Sequence, residues 1–211
     1  MASVPRSTRR RRDTGFCFVS QAALPFVTQG FSASWRSCRR SDTASWPLTT
    51  GFGRNPGTPT EAGVYADALA AYLYLTQEHG VSPSRVILAG RSLGSAVAME
   101  IAIRVPAAGL VLLSPIDSVP LTGARAYWWI PVRRLVTYRF DNLAKIEHVN
   151  VPVLVVHATD DELVPLHVAR TLSSRIRARS VMIETDGGHN DAGFRDGGEL
   201  AEALRRFWPP T

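Results

Sequence analysis

From Gly51 onward the apolar residues fall into two alternating patterns. Short continuous runs, Val86-Ile87-Leu88-Ala89, Leu110-Val111-Leu112-Leu113 and Val151–His157, have the composition of strands buried on both faces of a parallel sheet. Between them the spacing turns helical. Tyr65, Leu69, Tyr72, Leu73 and Leu75 predict a helix over Val64–His79 that Gly80 ends, with Thr58 as its cap and Glu61 in the capping-box position. An Ala-, Met- and Ile-rich helix follows Ser92, another is predicted over Leu166–Ile176, and an amphipathic one over Gly198–Trp208; Ser180–Glu184 reads as one more strand. Strands alternating with helices of these lengths predict an α/β domain, a mostly parallel sheet doubly wound by helices. Residues 116–148 break the alternation. They carry Tyr127-Trp128-Trp129-Ile130-Pro131 and the helical-looking stretch Val132–Tyr138, but no strand pattern.

Residues 1–50 follow neither period, and only Phe16-Cys17-Phe18-Val19 reads as a strand. The division expected is therefore a basic segment over 1–50, disordered or out of frame, and one domain over 51–211. The frame enters because 23 arginines accompany a single lysine, Lys145, a bias that GC-rich coding produces. Under one permitted choice of codons, Ser45–Thr50 read from one base earlier becomes Val-Val-Ala-Ala-Asp-Tyr, a buried strand just ahead of Gly51-Phe52-Gly53. On that reading the strands preceding Gly51 are missing or disrupted in the chain as it stands.

Composition narrows the function classes. The net charge of +6 suggests an anionic partner, but its distribution argues against nucleic acid: residues 1–60 hold nine arginines against two aspartates, and the other 151 residues carry 15 basic and 16 acidic side chains. The body thus offers no basic stripe. No apolar run is long enough to span a membrane, and the N-terminal arginines lead into no apolar signal core. Two cysteines, Cys17 and Cys38, form neither a disulfide framework nor a metal site, so a cytoplasmic setting is the expectation.

The chemistry centres on Gly90-Arg91-Ser92-Leu93-Gly94, a G-x-S-x-G turn between a strand and a helix. Such a turn exposes the serine hydroxyl at the strand's carboxyl end and leaves Leu93 N–H at the helix start, where it can receive a developing oxyanion. A serine hydroxyl is scarcely ionised at neutral pH, so it needs a base, and the base needs an acid to orient it. The ends of the later strands supply both. Asp160-Asp161-Glu162 follows one strand, and His189, in Gly187-Gly188-His189-Asn190-Asp191, follows the next. Asp161 ranks first among the carboxylates, then Asp160, then Asp191, which lies too near His189 in sequence to reach its far side. His79, His148 and His167 read as surface residues, and His157 as structural.

With these motifs in the order Ser, Asp, His, the chain from about Gly51 to Phe207 resembles the α/β-hydrolase superfamily. It looks most like the branch of small serine hydrolases related to protein depalmitoylases and serine aminopeptidase-type domains. The stretches that carry the resemblance are GFGRNPGTPTEAGVYADALAAYLYL, GRSLGSAVA, PVRRLVTYRFDNLAKIEHVNVPVLVVHATDDELVP and GGHND. The resemblance implies Ser92 as nucleophile, His189 as base and Asp161, the aspartate before Glu in the family's H-G-T-x-D-E pattern, as orienting acid. It implies hydrolysis of an ester, thioester or amide through an acyl-enzyme, with no metal or organic cofactor. The aromatic cluster around Trp128 and Trp129 reads either as a lid or wall for an acyl group or as packing against the sheet edge. Two departures stand out. Ala158 replaces the pattern's glycine, and no His-Gly pair, the family's source of a second oxyanion N–H, occurs before Gly51. Two rival readings follow: an inactive α/β-hydrolase fragment without the oxyanion loop, or a binding protein that uses its arginine-rich tail.

Overall fold

The computed structural model describes residues 15–20, 44–49, 60–189, 191 and 198–208. Six strands form one sheet: β1 Gly15–Ser20, β2 Ala44–Thr49, β3 Val86–Arg91, β4 Gly109–Leu113, β5 Val153–Ala158 and β6 Ser180–Thr185. Their order is β2-β1-β3-β4-β5-β6, and every neighbouring pair is parallel. The helices are α1 Glu61–Leu73, α2 Leu93–Arg104, α3 Val119–Ala126, α4 Val132–Leu135, α5 Asn142–Lys145, α6 Leu166–Ser174 and α7 Gly198–Phe207.

The apolar runs behave as parallel strands should. All of β3, β4 and β5 is buried, and their side chains alternate between two cores with the period of a strand. Val86, Leu88, Leu110, Leu112, Val153 and Val155 face one core, which α1, α2 and α6 close with residues such as Tyr65, Met99 and Leu172. Ile87, Ala89, Val111, Leu113, Leu154 and Val156 face the other, closed by Leu200, Leu204 and Phe207 of α7. The sheet is therefore wound on both faces. The last turn of α7 is fixed by Trp208, whose indole N–H donates to Ala108 O at 3.1 Å. Its ring lies where a Cβ on Gly109 would sit, 2.1 Å from the nearest ring atom.

Two strands lie upstream of Gly51: β1, which includes the Phe16–Val19 stretch read as a strand, and β2. Parallel pairing uses only backbone groups, and Pro47, which has no N–H to give, sits on the outermost strand of the described sheet, where it is tolerated. β1 covers the edge of β3, and β2 lies outside it. The remainder of residues 1–50, with most of the stretch to which the frame argument applies, lies outside the described residues. The cap of α1 is Thr60 rather than Thr58, which also lies outside them; Thr60 is extended (φ −129°, ψ 154°) and accepts from Gly63 N–H at 3.0 Å. Freed from capping, Glu61 accepts from the Tyr65 hydroxyl and from the backbone N–H groups of Arg139 and Phe140. Finally, α1 ends early, in a π-helical turn over Tyr74–Glu78, before Gly80 turns the chain at φ +66°.

Gly109→Ala is expected to destabilise the protein by about 1–3 kcal/mol, because the new methyl must displace the Trp208 ring. Urea unfolding of the variant beside the wild type measures this, and an unchanged midpoint would contradict the docking of α7 described above.

Candidate active site

Ser92 occupies the joint between β3 and α2. Its backbone is held at φ 50°, ψ −120°, a conformation that costs an L-residue energy and persists only when its surroundings enforce it. Three hydrogen bonds do so. Ser92 N–H continues the β3–β4 ladder by donating to Leu113 O at 2.9 Å, and Ser92 O accepts from Ser95 N at 3.0 Å and Ser95 Oγ at 2.5 Å. The turn is so tight that a Cβ on Gly90 would lie 2.1 Å from Gly94 O. The outcome is a half-buried hydroxyl at the carboxyl end of the sheet, beside the positive end of α2.

Because all strands are parallel, the residues just after β3, β4, β5 and β6 gather at this same end. The structure brings Ser92, Asp161 and His189 together there. His189 Nε2 lies 3.1 Å from Ser92 Oγ, and His189 Nδ1 lies 2.8 Å and 3.0 Å from the two carboxylate oxygens of Asp161. Asp161 in turn accepts backbone N–H bonds from Leu163 at 3.0 Å and Val164 at 2.7 Å. The Asp161 side chain is fully buried and that of His189 is 8% exposed, so the carboxylate and ring meet away from bulk water. Asp160 is exposed, and Asp191 reaches the loop backbone at Gly188 N rather than the ring. Trp128 and Trp129 stand apart from this hydrogen-bonded cluster, 80% and 62% exposed.

Two further residues hold the histidine, and the sequence assigned neither of them that role. The Glu162 carboxylate accepts from His189 N–H at 3.0 Å, and the buried Arg91 guanidinium donates to His189 O at 2.9 Å. Ring and backbone of His189 are thus fixed from three sides. The only sequence signal was position: Arg91 precedes Ser92 and Glu162 follows Asp161, so each side chain leaves the same turn as a cluster member.

Burial by itself would raise the Asp161 carboxyl, but the hydrogen bonds from His189 and Val164 N–H, with the nearby imidazoles, hold it below the usual aspartate value. His157, at the end of β5, is pushed below the ordinary histidine value by burial, which its hydrogen bond to Val164 O opposes. That bond, 2.8 Å from Nε2 to a carbonyl, makes Nε2 the protonated nitrogen and ties β5 to the Asp161 turn. His79, His148 and His167 are exposed. Among the described residues no group of three or more His, Cys, Asp or Glu could hold a metal ion. No helix among them is long and apolar enough to cross a membrane.

Residues 116–148, the cap, leave the carboxyl end of β4 and connect it to β5. Asn142 anchors it, its side-chain amide donating to Ser95 Oγ at 3.1 Å and Ile116 O at 2.8 Å. Within the cap, Arg125 makes two 2.8 Å hydrogen bonds to Asp117. Burial tends to raise the Asp117 carboxyl, yet Arg125, Ser118 N–H and Thr122 bring it below the usual value.

No protein-family model matches the chain. Relatives and solved structures do. "Uncharacterized protein Rv2307c" of Mycobacterium tuberculosis is 38% identical over 162 residues, 76% of this chain and 58% of the relative. Human "Alpha/beta hydrolase domain-containing protein 17B" is 32% identical over 159 residues, 75% of this chain and 53% of the relative. The structure of Est1E from Butyrivibrio proteoclasticus with ferulic acid bound superposes with a TM-score of 0.71 at 19% identity, covering 94% of this chain and 89% of that one. The fold is that of the α/β hydrolases, and over 75% of its length the chain is similar to a protein named for that domain. It spans little more than half the length of the curated relatives it matches.

The depressed Asp161 carboxyl carries a pH signature. Its folded value lies below its unfolded one, so its contribution to stability is complete above the usual aspartate value of about 4 and is lost as pH falls from there through the lower folded value. Asp161→Asn is therefore expected to flatten the acid limb of stability, read by urea unfolding between about pH 2 and 6. A wild-type and variant pair with parallel acid limbs would contradict the interaction.

Proposed function

We propose that the protein is a serine hydrolase that forms an acyl-enzyme on Ser92, with His189 as base and Asp161 as the residue that orients it. The observation that carries the reading is the unbroken line of contacts from Ser92 Oγ through the His189 ring to the Asp161 carboxylate. The Ser92 Oγ proton passes to His189 Nε2 as Oγ attacks a carbonyl carbon. The imidazolium formed is stabilised by the buried Asp161 carboxylate, and the proton then goes to the departing alcohol, thiol or amine. Water, activated by the same imidazole, cleaves the acyl-enzyme and restores Ser92. Leu93 N–H, first in α2, serves as one oxyanion donor. The substrate is an ester, thioester or amide, and the chemistry calls for no metal or cofactor. A wall for an acyl chain needs apolar surface turned inward, so the exposure of Trp128 and Trp129 weighs against that role for them.

A second reading has its own observation. No His-Gly pair precedes Gly51, so the usual loop for a second oxyanion N–H is not legible, and the chain would then be an α/β hydrolase without turnover. Removing one such donor costs about 10²–10³-fold in kcat where it has been measured.

Pre-steady-state hydrolysis of p-nitrophenyl esters separates the two. The proposal expects a burst of p-nitrophenol close to one equivalent per protein, absent in Ser92→Ala. Asp161→Asn is expected to lower kcat by about 10⁴-fold with little change in fold. A folded wild-type protein with no burst and no turnover would favour the second reading.

A further inference from the structure

The cap ends in a surface that the acyl-transfer reading does not use. Tyr127, Trp128, Trp129 and Ile130 join α3 to α4 and are 54%, 80%, 62% and 38% exposed, and Leu135 on α4 is 66% exposed. The three aromatic rings are braced edge to face, Tyr127 on Trp129 at 5.9 Å and Trp128 on Trp129 at 5.8 Å between centroids. They form one contiguous apolar crown rather than scattered side chains. Single exposed apolar residues need no explanation, but five within nine positions mark a surface that is covered in use.

The chemistry around the crown selects what covers it. Arg133 and Arg134 are exposed on α4 and Arg139 follows it; none makes an ion pair with a described residue. Arg133 and Arg139 also line a cleft of about 310 Å³ beside the crown, with Ser118 and Asp141, and Asp141 is engaged as the cap of α5 through Ala144 N–H. Indole and phenol rings favour the boundary between lipid headgroups and acyl chains, and arginines at that level reach the phosphates. An apolar crown beside three guanidinium groups that make no ion pair with a described residue, two of them lining the neighbouring cleft, is complementary to an anionic lipid surface.

We propose that the Tyr127–Leu135 crown docks the protein on an anionic phospholipid membrane, with the rings in the interfacial layer and Arg133, Arg134 and Arg139 on headgroup phosphates. The inference does not rest on the catalytic reading, because an inactive protein would dock equally.

The test is co-sedimentation of the full-length protein with phosphatidylcholine vesicles containing about one third phosphatidylglycerol, together with quenching of tryptophan fluorescence by brominated lipid. The expected result is salt-sensitive partition with quenching. Partition falls at least about tenfold in Trp128→Ala/Trp129→Ala. It falls about fivefold for each of Arg133→Gln and Arg139→Gln, with circular dichroism unchanged. Three results would overturn the proposal. Partition that survives the tryptophan substitutions would belong to the basic N-terminal segment. Equal partition onto pure phosphatidylcholine would remove the role of the arginines. No partition by the folded wild type, with self-association that the tryptophan substitutions abolish, would assign the crown to protein contact.

Discussion

The structure turns on one strained residue. A backbone at φ 50° has to be enforced, and at Ser92 it is enforced by the ladder bond to Leu113, by two bonds from Ser95, and by Gly90, whose missing Cβ lets β3 run directly into α2. Everything that follows depends on that enforcement. It requires β4 in register beside β3, so that Leu113 O is present, and it requires both cores to pin the strand and the helix between which the serine is bent. The stability of the sheet is thus spent on presenting one hydroxyl at the sheet's end.

The histidine meets that hydroxyl from the opposite situation, a glycine-containing loop with little regular structure of its own. Precision comes from outside the loop. Arg91, in the serine turn, holds its carbonyl, Glu162 holds its N–H, and Asp161 holds its ring. Two of these three come from the same Asp-Glu pair after β5, and the third is the residue next to Ser92. The serine, acid and histidine loops are therefore coupled mechanically, and a displacement of one is felt by the others. His157 extends the coupling into the sheet by binding the carbonyl of Val164, whose N–H Asp161 accepts.

Much of this was legible in the chain because its causes are local or periodic. Buried parallel strands write themselves as unbroken apolar runs, and β3, β4 and β5 fall within two residues of where such runs lie. The Gly-x-Ser-x-Gly turn is legible because its steric demand lies within five residues. What could not be read depends on contacts distant in sequence. Arg91 and His189 are 98 residues apart, and nothing local marks Arg91 as a holder of that loop. Likewise β1 is placed by pairing with β3 and β2 by pairing with β1, since Gly15–Ser20 and Ala44–Thr49 carry weak strand patterns and one proline. Thr58 and Thr60 are both cap-competent by residue type, and the extended backbone of Thr60 with its bond from Gly63 N–H identifies it as the cap.

The central claim is that the strained turn and the clamped histidine activate the Ser92 hydroxyl. The most direct measurement is intact-mass analysis of the folded protein after treatment with a fluorophosphonate, followed by peptide mapping. The account predicts a single adduct on the peptide containing Ser92, and none in Ser92→Ala. A folded protein that stays unmodified, or an adduct that maps elsewhere, would contradict it.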